Sequence, residues 1–187
     1  TSIFSGMFLG FLLVGIFTDR AILNENFQFI LEKGALDSTP QIIPERFNVG
    51  PGIFFHNVAV MGSFFVLSFA FRGLGASLAL GWNAGVWSIL LLLGVKGGLE
   101  EAANPLIYLL VVLAALTPHV IIEAIGYLSG SLSAIFLSRG LTLYAGNDAR
   151  LRRVIMAVTV LLVISVGILA FGAIVESNYA PLVLKYR

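Results

Sequence analysis

Long apolar tracts alternate along this chain with short polar stretches, and the tracts predict its elements. Residues 1–18 form the first tract and predict a membrane span containing the small-residue spacing Gly6-Met7-Phe8-Leu9-Gly10, which suits close helix approach. Asp19 to Asn48 is the most polar stretch, yet Ile22, Phe27, Ile30 and Leu31 recur within it at roughly helical spacing. That pattern predicts a short amphipathic helix lying on the membrane surface. Pro40, Pro44 and Pro51 interrupt the chain before a second span over 53–71. Arg72-Gly73 makes a tight connection to a third span over 74–95, whose middle carries Asn83 between Gly81 and Gly85. A polar loop from Lys96 to Pro105 follows.

The next tract, Leu106 to Leu137, is too long for one upright crossing. Its 32 residues would reach roughly 48 Å as a helix, against a hydrocarbon core of about 30 Å. Pro118 has no N–H to donate, and Thr117 before it is a good N-cap. The expectation is therefore a helix broken at Pro118: a crossing piece over 118–137, preceded by a partial or tilted helix over 106–117. Gly126, Ser129, Gly130, Ser131 and Ser133 give the crossing piece a small-residue face. A loop over 139–153 holding four arginines leads into the last span, 154–175, which ends at Glu176.

Composition turns this pattern into a class. The chain is 58% hydrophobic and 11% charged over 187 residues, with a mean hydropathy of +0.98. A soluble domain is about 45–50% apolar and about 25% charged, so these polar residues could not cover a soluble surface. The expected fold is all-α: a polytopic helical membrane bundle of about five spans, forming one integral membrane domain over 1–187. The lipid bilayer is then its first partner. A net charge of +1 gives no reason to invoke nucleic acid. Without cysteine, thiolate nucleophiles, thiolate metal ligands and disulfides are excluded. The numbering opens at Thr1, as a processed or trimmed chain would, and the first tract lacks the basic flank of a signal peptide. The arginines at 139, 150, 152 and 153 predict a cytoplasmic loop 139–153, which sets segment 19–50 on the extracytoplasmic side of the cell membrane.

The candidate chemistry lies in Thr117-Pro118-His119-Val120-Ile121-Ile122-Glu123. His119 and Glu123 stand four residues apart, on one helix face and one turn from each other. An ionisable pair inside a membrane segment is costly to bury and marks a candidate site. Three readings compete. The pair could be hydrogen-bonded to neighbouring helices and fix their register. It could supply two ligands of a divalent metal such as zinc, which wants about four N, S or O donors. His56, the other histidine, and Glu176 would then have to converge with it. It could also be part of a proton or ion relay, for which few other buried ionisable groups are present. His56-Asn57 also fits a helix start facing headgroups, and Asn83 is expected to make an interhelical hydrogen bond. No H-E-x-x-H, G-x-S-x-G or Walker-type loop occurs, so no catalytic residue is assigned.

Taken in order, Asn57, Asn83 with Gly85, Pro118-His119-x-x-x-Glu123 before a Gly/Ser-rich helix, and Ala173-Ile174-Val175-Glu176 at the end of the last span resemble the stage II sporulation protein M family. The resemblance covers about residues 53–181, and Pro-His-x-x-x-Glu is its most specific part. The chain departs from the pattern at Val120, where a glycine commonly stands, and at Ala84, which splits an Asn-Gly pair. The resemblance implies a multi-span membrane protein acting as a non-enzymatic scaffold for cell-envelope remodelling enzymes. Other membrane or envelope proteins, or further copies of the chain, would be its partners. A metal-dependent intramembrane site for transport or hydrolysis, built on His119 and Glu123, is the competing expectation.

Overall fold

The computed structural model describes residues 2–26, 50–99 and 102–184. Phe27, Ile30 and Leu31 of the expected surface helix, and most of segment 19–50, lie outside them. Among the described residues six helices form and no strand does: α1 (Ser2–Phe17), α2 (Arg20–Asn26), α3 (Gly50–Phe71), α4 (Gly73–Leu99), α5 (Pro105–Leu143) and α6 (Ala149–Leu184). The segments Gly50–Phe71, Gly73–Leu93, Pro105–Leu143 and Ala149–Tyr179 are long and apolar enough to cross a membrane. The chain is thus an all-α, multi-pass membrane bundle. α1 is apolar as expected, but its 16 residues span only about 24 Å, short of a typical hydrocarbon core.

Several boundaries differ from the sequence expectation, with α4 running on to Leu99 and α6 to Leu184. Pro118 does not divide the fourth tract: it lies inside one continuous helix of 39 residues. The helix starts instead at Asn104, whose side-chain oxygen accepts from the N–H groups of Leu106 and Ile107 at 3.2 Å each, with Pro105 at the first position. That cap and a proline at N1 outcompete Thr117-Pro118 as a start signal. Inside an apolar helix Pro118 removes one backbone bond, which packed neighbouring helices tolerate. At about 58 Å, α5 must tilt or project beyond the bilayer. The predicted loop 139–153 contracts to 144–148, because Arg139 belongs to α5 and the other three arginines to the first turns of α6. Asp148 caps α6, accepting from the Arg150 N–H at 2.7 Å.

Side-chain contacts fix the helix directions. Asn57 and Met61 of α3, and Arg72 just past its end, meet Glu123, Gly130 and Thr142 of α5 in rising order, so these two helices run parallel. Met7, Phe11 and Gly15 of α1 meet Gly81, Gly85 and Leu92 of α4 in the same way. α6 returns antiparallel along α5, pairing Val154 with Gly140, Leu169 with Gly126 and Gly172 with Ile122. Arg72 alone connects α3 to α4, in the left-handed region at φ 52°. Its guanidinium donates to Thr142 Oγ1 at 3.0 Å. The arginines at 72, 139, 150, 152 and 153 therefore collect at one end of the bundle.

Glycines decide how closely the helices approach, since lipid supplies no hydrophobic drive between apolar helices. The stripe that works on α1's behalf is not its own Gly6-x-x-x-Gly10, around which nothing lies within 4 Å. Gly81 and Gly85 of α4 instead receive Met7 and Phe11. On α5 the predicted small-residue face is used: Gly126 seats Leu169 of α6, and Gly130 seats Met61 of α3. Lys96, expected in a loop, lies in α4 and holds the end of α1, with Nζ donating to the carbonyls of Gly15, Ile16 and Thr18 at 2.9, 3.2 and 2.6 Å. A helix end has four carbonyls without helical partners, and one ammonium can serve three.

Candidate functional site

The buried stripe of α5 runs through Tyr108, Val112, Ala115, His119, Glu123, Gly126, Tyr127 and Gly130, the three- and four-residue spacing of a helix face turned inward. The outside carries large apolar side chains such as Ile121, Ile125 and Phe136, as a surface in lipid requires. His119 and Glu123 are 8% and 6% exposed, so the pair does face the bundle interior.

Asn57 of α3, 4% exposed, reaches across to this stripe. Its Nδ2 donates to Glu123 Oε1 at 2.6 Å, and its Oδ1 accepts from the Tyr127 hydroxyl at 3.0 Å. Both ends of one amide are thereby satisfied by a single neighbouring helix. The Tyr127 ring is held edge-on by Phe64, 5.4 Å away, and stacked on Trp87 of α4, 6.3 Å away. Tyr127 was not among the residues singled out from the sequence. The available signal was its spacing, four residues beyond Glu123 and eight beyond His119 on the same face.

Glu176 of α6 is half-buried, and its carboxylate acts electrostatically on Glu123 and Tyr127. The pairing of Gly172 with Ile122 and Leu169 with Gly126, carried one turn further, sets Glu176 across from His119. Four of the expected residues, Asn57, His119, Glu123 and Glu176, therefore gather where α3, α5 and α6 meet.

His56 does not join them; it is exposed. Successive helical residues point about 100° apart, so with Asn57 turned to α5 the preceding side chain faces away. The expected four-ligand metal set of His119, Glu123, His56 and Glu176 thus loses a member. Among the described residues no three His, Asp or Glu side chains are arranged to hold a metal ion. Asn83 is buried in α4, and its Nδ2 has no hydrogen-bond partner. The His119 Nδ1 is likewise without a partner, although the Ala115 carbonyl one turn back acts on the ring.

The hydroxyls nearby are spent locally. Ser129, Ser133 and Ser165 donate to backbone carbonyls of their own helices, those of Ile125, Gly130 and Leu161. Such bonding lets serine pack in an apolar interior. A separate recess of about 300 Å³ between α1, α2 and α4, lined by Phe11, Val14, Leu23 and Ile89 among others, carries no ionisable side chain. Compared with models of protein families, with curated proteins and with solved structures, the chain matches none.

Proposed function

We propose that the protein is a non-enzymatic membrane scaffold, which assembles or anchors partner proteins at the membrane. The observation that carries this reading is the chain Tyr127 to Asn57 to Glu123, which spends buried polar groups on joining α3 to α5. Hydrogen bonds of this kind hold helices in register where apolar packing alone is permissive. The resemblance to the stage II sporulation protein M family supports cell-envelope remodelling enzymes as the class of partner. In this reading the arginine end is cytoplasmic, in keeping with the bias of basic residues, and segment 19–50 faces outward as a contact surface.

The test is co-purification from native membranes. Replacing Glu123 or His119 by Ala weakens recovery of partners, and deleting segment 19–50 abolishes it. Recovery of the same partners at unchanged yield from all three variants overturns the scaffold reading.

A further inference from the structure

The helices fix the depth of the arginine end as well as its position. α3 has 22 residues and ends at Phe71, so it is about 33 Å long and matches a hydrocarbon core of about 30 Å. Arg72, the next residue, therefore stands at the level of the lipid headgroups. Its guanidinium donates to Thr142 Oγ1 at 3.0 Å, which brings the end of α5 to the same level. Arg139 lies one turn before Thr142 on the same face of α5. Leu151 and Val154 of α6 pack at Gly140, so Arg150, Arg152 and Arg153 come in beside Arg139. All five arginines are exposed. Exposed apolar side chains surround them, among these Phe71, Leu74, Leu141, Leu143 and Met156.

This charge is not answered within the described part of the molecule. Among the described residues no carboxylate pairs with any of the five guanidiniums. Asp148 is the one acid in the stretch 139–153, and its side chain caps α6 by accepting from the Arg150 backbone N–H. Two local choices add to the cost. Arg72 holds the left-handed conformation at φ 52°, which glycine holds more cheaply, although Gly73 stands next to it. The first turn of α6 carries no acid, and its arginines crowd the end where the helix dipole is already positive.

We propose that Arg72, Arg139, Arg150, Arg152 and Arg153 bind the phosphodiester headgroup of an anionic phospholipid, which ties the α3–α4 connection to the start of α6. Such a site is independent of what the protein scaffolds. A guanidinium carries five N–H donors in a planar fork that matches phosphate oxygens. Arg72 spends one on Thr142 and keeps the others. Depth and surroundings select a lipid over a soluble anion. The guanidiniums stand at headgroup level, and a phosphate held there leaves its acyl chains to lie along the exposed apolar side chains. The net charge of +1 over the whole chain supplies no long-range attraction for nucleic acid. Choline and ethanolamine headgroups bring a cation of their own, whereas phosphatidylglycerol brings only the phosphate charge.

The first measurement uses the full chain in phosphatidylcholine nanodiscs with phosphatidylglycerol at rising mole fraction. Thermal unfolding shifts upward and saturates. Arg152→Gln with Arg153→Gln lowers the apparent affinity about tenfold or more, as loss of two arginines at a membrane surface requires. Lys185→Gln with Arg187→Gln removes the same charge beyond the other end of α6 and leaves the response unchanged. Equal losses in the two double variants, or a shift that never saturates, overturn the site. Equal stabilisation by inorganic phosphate or polyglutamate in pure phosphatidylcholine nanodiscs assigns the patch to a soluble anion and overturns the lipid. The second measurement needs no variant. Native mass spectrometry of the unmodified chain, released from nanodiscs of equal phosphatidylcholine and phosphatidylglycerol, is expected to show phosphatidylglycerol retained in preference. Retention of the two lipids in their bulk ratio overturns the proposal.

Discussion

Removing the amide of Asn57 deprives two groups at once, since Tyr127 loses its acceptor and Glu123 its donor. A buried group left unsatisfied costs about 1–3 kcal/mol, and Asn57→Leu is expected to destabilise the bundle by that much. Tyr127→Phe removes only the hydroxyl bond and should cost about 0.6–1.7 kcal/mol, the range for interhelical bonds in membranes. In the Asn57→Leu background the same Tyr127→Phe change should cost close to nothing. A double-mutant cycle by denaturant unfolding in detergent checks this, and strictly additive losses would refute the linked network. Lys96 makes a similar case at the other pair of helices. Lys96→Met strips three carbonyls of α1 of their donor and should lower stability by about 1.5–3 kcal/mol. Faster amide exchange over 13–18 than elsewhere in the bundle is the local signature. Lys96→Arg should not restore it, because a planar fork cannot point at three carbonyls as an ammonium does.

At the scale of helices, glycine placement separates two kinds of site. A Cβ on Gly75 would fall on the Leu67 carbonyl, which is backbone and cannot swing aside. A Cβ on Gly126 would lie 2.7 Å from Leu169 Cδ2, the movable end of a flexible side chain. Around Gly62 nothing lies within 4 Å. Gly75→Ala should therefore cost about 3 kcal/mol by overpacking and open the α3–α4 hairpin. Gly126→Ala should cost about 1 kcal/mol, and Gly62→Ala should stabilise slightly through helix propensity. Unfolding midpoints of the three variants give the order, and a Gly75→Ala protein as stable as Gly62→Ala would contradict the hairpin geometry. Helix existence was legible in the sequence because a tract of about 20 apolar residues leaves no alternative in lipid. Helix ends were less so. The start of α5 turned on the Asn104 cap, whose side chain satisfies the Leu106 and Ile107 N–H groups well before Thr117, where the sequence predicted a helix start.

For the whole molecule, the helix directions set which connections share a side. Arg72 and Gly146 both lie at the arginine end, while Ala103 precedes α5 at the other. The chain has no cysteine, so single cysteines can report sidedness without background. Arg72→Cys and Gly146→Cys should react with an impermeant maleimide only after the membrane is opened, and Ala103→Cys before. Labelling of Arg72→Cys and Gly146→Cys from opposite sides would break the parallel pairing of α3 with α5.

The sequence by itself determined a helical membrane protein and an inward-facing His119/Glu123 pair, because transfer energetics and the 3.6-residue repeat act locally along the chain. It also carried Asn57 and Glu176 as candidates. Only tertiary structure decided which of these meet. His56 and Asn57 are equivalent as neighbours in sequence, and the rotation of α3 against α5 turned one inward and the other to the surface. Gly6/Gly10 and Gly81/Gly85 are equivalent as spacings, and the packing of α1 on α4 used the second pair alone. Helix rotation and partner choice arise from side chains far apart in the chain, as do Lys96 reaching α1 and Asn57 joining Glu123 to Tyr127. No local pattern encodes them.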